Sequence, residues 1–188
     1  MKEQFRQYVI NLYQDVPTNV YEGLLSIFCL GTVGLFVFWG WKRGWRKVLG
    51  LLLAEYVFLI YCSTVICRKI AEGGAGHNFV PFWSYEAINN GSDDLIAENI
   101  MNVVVFVPIG LLMGLITFKK LKLFKAGLLA LGIGLFVSVS IEMLQFFLKC
   151  GFSEFDDIMH NTLGCLIGFG VYKLFQVSLF MIHGRDSA

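Results

Sequence analysis

The sequence predicts an all-α fold, an integral membrane helical bundle with five transmembrane helices, and three observations carry that prediction. Apolar residues make up 56% of the 188 against 15% charged, a balance foreign to soluble domains. Lys and Arg fall in tight clusters, and the apolar runs between them reach the ~20 residues that a helix needs to cross a bilayer. The long polar segment, residues 68–99, carries an excess of acid. No basic stripe interleaved with aromatics accompanies this pattern, so no nucleic-acid partner is expected.

The 188 residues read as one membrane domain. In residues 1–21, Phe5, Val9, Leu12 and Val16 recur at helical spacing among Lys2, Glu3, Arg6 and Asp15. This predicts a short interfacial helix ending near Pro17 rather than a signal peptide. The transmembrane helices follow at 23–41, 48–67, 100–118, 126–148 and 158–182, each bounded by charge. Lys42, Arg43, Arg46 and Lys47 fill the first link, and Lys119, Lys120, Lys122 and Lys125 the third. Positive charge in short loops resists translocation, which keeps both links cytoplasmic. Glu72, Glu86, Asp93, Asp94 and Glu98 make 68–99 an external loop, with the N-terminus outside and the C-terminus cytoplasmic. Glu55 and Lys173 come out at similar depth near the cytoplasmic side and are expected to pair or to share a polar network. The five cysteines include no CxxC pair and read as small core residues.

The informative residues are polar ones inside apolar runs. Ser138, Glu142 and Gln145 share one helix face, Asn99 and Asn102 a second, and Asp157 with Asn161 a third. A carboxylate near mid-bilayer costs roughly 2.5–3.5 kcal/mol on insertion scales, and hydrocarbon satisfies no amide. The three faces are therefore expected to meet around one outward-facing cavity. Pro108 removes a hydrogen bond from the third span, which predicts a kink. "GLLMG" in the third span and "GCLIG" in the fifth match the pattern that lets helix backbones approach closely. Phe79, Phe82, Trp83 and Tyr85 cluster beside Pro81, so the external loop is expected to fold back on the headgroup layer and roof the cavity.

"NFVPFW" from Asn78, "NVVVFVPIG" from Asn102, "SIEMLQ" from Ser140 and "FDDIMHNTLGCLIG" from Phe155 together resemble the ordered signatures of the VanZ-like family over about residues 78–172. These are bacterial membrane proteins whose named member is associated with resistance to the glycopeptide teicoplanin. The resemblance implies a multi-pass protein of the bacterial cell membrane. It places the family's polar signature on Asn102, Glu142, Gln145, Asp156, Asp157 and Asn161, with Pro108 and Gly110 as the helix break. The family pattern commonly has an Arg in the link before the acidic pair. "GFSEF" supplies none, so a cation facing Glu142 or a ligand phosphate must come from elsewhere in this chain, or the site differs.

Two functions stay open at this stage. One is binding at the outer leaflet, in which Asn102, Gln145, Asp156, Asn161, Phe82 and Trp83 engage membrane lipid, a lipid-linked cell-wall precursor or a lipoglycopeptide. The other is an intramembrane hydrolase or transferase acting on such a substrate, with Glu142 as general base and Asp157 orienting it. Glu142 also suits a purely structural role, tying helices together through Gln145, Asn102 and Asn161. His160 with Asp156 and Glu142 would offer a nitrogen and two oxygens to a metal, but no HxxxH or CxxC accompanies it. No metal and no cofactor is expected.

Overall fold

A computed structural model describes residues 41–68, 76–117 and 122–185. The expected interfacial helix and, apart from Trp41, the first span lie outside the described residues. Helix α1, Trp41–Tyr61, ends in a π-helical turn, Cys62–Ile66. The wider turn closes through Cys67 N–H to Cys62 O at 2.9 Å. Ser63 and Thr64 both donate their hydroxyls to Ile60 O, at 2.9 and 2.7 Å, competing with the regular ladder there. Helix α2, Trp83–Asn89, and helix α3, Asp94–Thr117, follow, joined by a turn in which Gly91 takes φ +101°, a conformation that favours glycine. Helix α3 continues through Pro108. Helix α4, Leu123–Leu148, stops where Lys149 turns left-handed at φ 54° and Cys150 N–H caps Gln145 O at 3.2 Å. Helix α5, Phe155–Arg185, starts with Asp156 and Asp157 in its first turn, where the helix dipole favours negative charge.

By length and composition, three helices among the described residues suffice to cross a membrane: Trp45–Ile66, Asp94–Thr117 and Leu123–Leu148. Helix α5 is longer still; within it Lys173 Nζ donates to Gln176 Oε1 at 3.4 Å and lies 6.0 Å from the Phe169 ring centroid. The all-helical expectation missed one feature. His77–Asn78 (β1) and Ser153–Glu154 (β2) form a parallel two-residue ladder, extended by Ser153 N–H to Gly76 O at 3.1 Å.

The glycine patterns explain how the bundle closes. Helices α3 and α5 run parallel and pack backbone against backbone. A Cβ on Gly164 would stand 2.0 Å from Val103 O, on Gly168 1.9 Å from Val107 O, and on Gly110 1.8 Å from Cys165 O. "GLLMG" and "GCLIG" are thus two halves of one interface, with Gly114 receiving the Tyr172 ring. Helix α4 runs antiparallel to both and meets α5 where Cys165 donates its thiol to Ala130 O at 3.2 Å. Phe106, Ile109, Ala130, Ile141 and Cys165 form the centre of the buried core. The four described cysteines are free; Cys62, Cys150 and Cys165 are buried, as expected of small core residues, while Cys67 is only half-buried.

Candidate functional site

The helix directions put the basic starts of two helices at one end of the bundle and most of the acids at the other. Arg46 and Lys47 open α1, and Lys122 and Lys125 flank the start of α4, whereas the last turns of α1 and α4 and the first turns of α3 and α5 gather at the other end. Tyr56 donates its hydroxyl to Val105 O at 2.8 Å, Tyr61 bonds Ser140, and Gln145 Nε2–H reaches Thr64 O at 3.1 Å. These contacts close α1 onto α3 and α4.

A cavity of about 110 Å³ lies at that acidic end. Glu142, Gln145, Asn102, Asp157 and Asn161, all singled out from the sequence, line it together. Asn102 Nδ2–H donates to Asp157 Oδ1 at 2.6 Å, and Asn161 Nδ2–H to Ser138 Oγ at 2.9 Å, so each amide finds a partner on the neighbouring helix. Glu142 is 4% exposed and accepts Glu154 N–H on Oε2 at 2.9 Å, while its main-chain carbonyl accepts the Ser153 hydroxyl at 3.0 Å. The carboxylate in α4 thereby anchors the link that leads into α5.

Asp156, Phe82 and Trp83, also singled out from the sequence, stand elsewhere, as does Asn99, whose Nδ2–H donates to Ser84 Oγ at 3.2 Å. Asp156 is fully buried outside the cavity lining. Its Oδ1 accepts Phe82 N–H at 2.6 Å, and its Oδ2 accepts both Ser84 N–H and the Ser84 hydroxyl, at 2.9 and 2.6 Å. It thus holds the first turn of α2, which starts after Phe82 in a left-handed conformation at φ 63°. Phe82 is 61% exposed, and Trp83 is half-buried with its indole N–H on Glu154 Oε2 at 2.8 Å. Phe152, against which Trp83 packs at 6.3 Å between ring centroids, lines the cavity together with Phe106. His160 Nε2 bonds the Tyr85 hydroxyl at 2.8 Å and is not part of the cavity lining.

Two charged residues not singled out from the sequence complete the lining. Arg68, two residues beyond the π-helical turn, supplies a cation where "GFSEF" has none, and its charge bears on Glu98, Glu142 and Asp157. Glu98 precedes Asn102 by one helical turn and shares its face. That i, i+4 spacing was available in the sequence, but grouping Glu98 with the loop acids hid it. Nothing local connects Arg68 with Glu142, because the interaction runs from the segment that follows α1 to α4. Just outside the cavity, Glu154 is held well above the usual carboxylate range, to about 7, first by burial and then by the charge of Glu98.

Comparison with known proteins places these residues in a family. No solved structure matches the chain. "Protein VanZ" of Enterococcus faecium is 32% identical over 131 residues, 67% of this chain and 77% of that protein. The VanZ/LLP1 family profile matches residues 48–176, which contain the entire cavity lining. On both the extent of that match and the shared identity, the chain belongs to the VanZ-like family.

Proposed function

We propose that this chain is a multi-pass protein of a bacterial cell membrane that lowers susceptibility to teicoplanin-type glycopeptides. In this reading the acid-rich cavity opens toward the outer leaflet and engages a lipid-linked cell-wall precursor or a lipophilic ligand. Basic residues at the opposite end of the bundle support that orientation, because positive links stay cytoplasmic. The observation that carries the reading is the convergence of Glu142, Gln145, Asn102, Asp157 and Asn161, from three helices, on one cavity in a VanZ-like chain. The test is teicoplanin susceptibility in a sensitive bacterial host. Wild type is expected to raise the inhibitory concentration, and Glu142→Gln and Asp157→Asn to abolish the gain at equal membrane abundance. Variants that protect as well as wild type would overturn it.

A second reading rests on a separate observation, three carboxylates, Glu98, Glu142 and Asp157, around one cavity that also holds Arg68. Such a cluster suits an intramembrane hydrolase or transferase in which Glu142 acts as general base. It requires a lipid species, seen by mass spectrometry of membrane extracts, that changes when wild type is expressed and reverts with Glu142→Gln.

A further inference from the structure

The cavity holds an acceptor that the protein leaves without a donor. Gln145 is 4% exposed, and its Nε2–H donates to Thr64 O at 3.1 Å. A carbonyl only accepts, so that bond fixes which way the amide points. The other atom, Oε1, is buried with no hydrogen-bond partner in a residue that lines the cavity. Buried acceptors in folded proteins are nearly always paired, and this one calls for a donor from outside the chain.

The surrounding charges say what kind of donor. Glu98, Glu142 and Asp157 offer only acceptors when ionised, and all three line the cavity. Arg68 is the cation among the described lining residues. Gly151 shows how close it comes to the unpaired amide: one point, its would-be Cβ, lies 2.7 Å from Arg68 Nη1 and 3.3 Å from Gln145 Cδ, so those atoms are no more than 6.0 Å apart. A short linker bridges that span.

The geometry points to a zwitterionic head group as the ligand of this cavity: a primary ammonium donating to Gln145 Oε1 and the carboxylates, with a phosphate oxygen a few bonds away meeting Arg68. This is the chemistry of phosphoethanolamine, carried by a membrane lipid or free in solution. Guanidinium matches phosphate, and an ammonium brings three donors to a wall of acceptors. A choline head group has the same charges but no N–H, and a phosphoglycerol has no cation. The inference rests on the proposed reading of the cavity as an amphiphile site and names its head group.

The test uses the full chain in nanodiscs of phosphatidylethanolamine, phosphatidylcholine or phosphatidylglycerol, with bound lipid counted by native mass spectrometry. Phosphatidylethanolamine should be retained about tenfold over either of the others, the difference that one charge-assisted hydrogen bond makes. Glu98→Gln and Arg68→Gln, both at half-exposed positions, should each lower that retention about tenfold with the lipid-free unfolding temperature unchanged. Displacement of the lipid by O-phosphoethanolamine supports recognition of the free head group as well; retention unaffected by it supports the lipid as the source. Equal retention of phosphatidylcholine, or full retention in both variants, overturns the inference. Either failure leaves the susceptibility result untouched, and loss of that result with selective retention intact would sink the resistance reading alone.

Discussion

Substituting alanine at Gly168 tests the packing that brings the site together. The new Cβ would lie 1.9 Å from Val107 O, 2.8 Å from Val107 C and 2.9 Å from Leu111 N, all main-chain atoms of α3. No rotamer change relieves a clash with backbone. Reaching the ordinary contact distance of 3.4 Å requires α3 and α5 to separate by roughly 1.5 Å, the difference between the two distances. Overpacking of this kind costs about 1–3 kcal/mol, and a clash confined to main chain belongs at the upper end. Gly170, two residues on in the same helix, supplies the control: nothing lies within 4 Å of its would-be Cβ, and alanine there gains helix propensity. Unfolding of purified protein in detergent, followed by circular dichroism, is expected to show Gly168→Ala strongly destabilised and Gly170→Ala unaffected or improved. The separation would also part Asn102 from Asp157, which hydrogen-bond across the same two helices near the cavity. Equal stability of the two variants would refute the close crossing, and with it the argument that the glycine patterns position the site.

Asp156→Asn removes the charge and one acceptor from a fully buried group that serves three donors on Phe82 and Ser84. A cost of about 2–3 kcal/mol is expected, felt locally; hydrogen exchange should rise over Trp83–Asn89 while the amides of α4 keep their protection. Glu154 gives a pH dependence whose sign is opposite to that of a salt-bridged acid. Its carboxyl is raised to about 7 from an ordinary 4.5, so the folded state binds the extra proton: the contribution is full below about pH 4.5 and is lost as pH rises through about 7. Protection of the β1 and α2 amides, which lean on Glu154 through the ladder and the Trp83 indole, should therefore fall as pH rises from about 4.5 through about 7 once exchange is corrected for its intrinsic pH dependence, and Glu154→Gln should flatten that response.

Several features of this chain follow from local pattern. The apolar runs and their charged borders determine the helices, since the expected segments 100–118, 126–148 and 158–182 all fall within or nearly within observed ones. Helix ends extend beyond those segments because a helix continues past the bilayer edge wherever polar residues suit its first turn, as Asp94 and Asp156 do. Spacing of three and four residues likewise put Ser138, Glu142 and Gln145 on one face, and the cost of a lipid-exposed carboxylate required that face to turn inward.

Tertiary structure decided what each inward face would meet. Asp156 and Asp157 are neighbours in sequence, but successive helical residues point about 100° apart, so one turns to the α2 amides and the other to the cavity. The sequence treats them as a pair, and only the position of the returning segment 76–89 separates their roles. The cation facing Glu142 comes from Arg68, 74 positions away, because a π-helical turn ends α1 beside α4. Periodicity fixes the direction of a side chain relative to its own helix axis; which neighbour stands there depends on how whole helices cross, and here that is set by four glycines in α3 and α5.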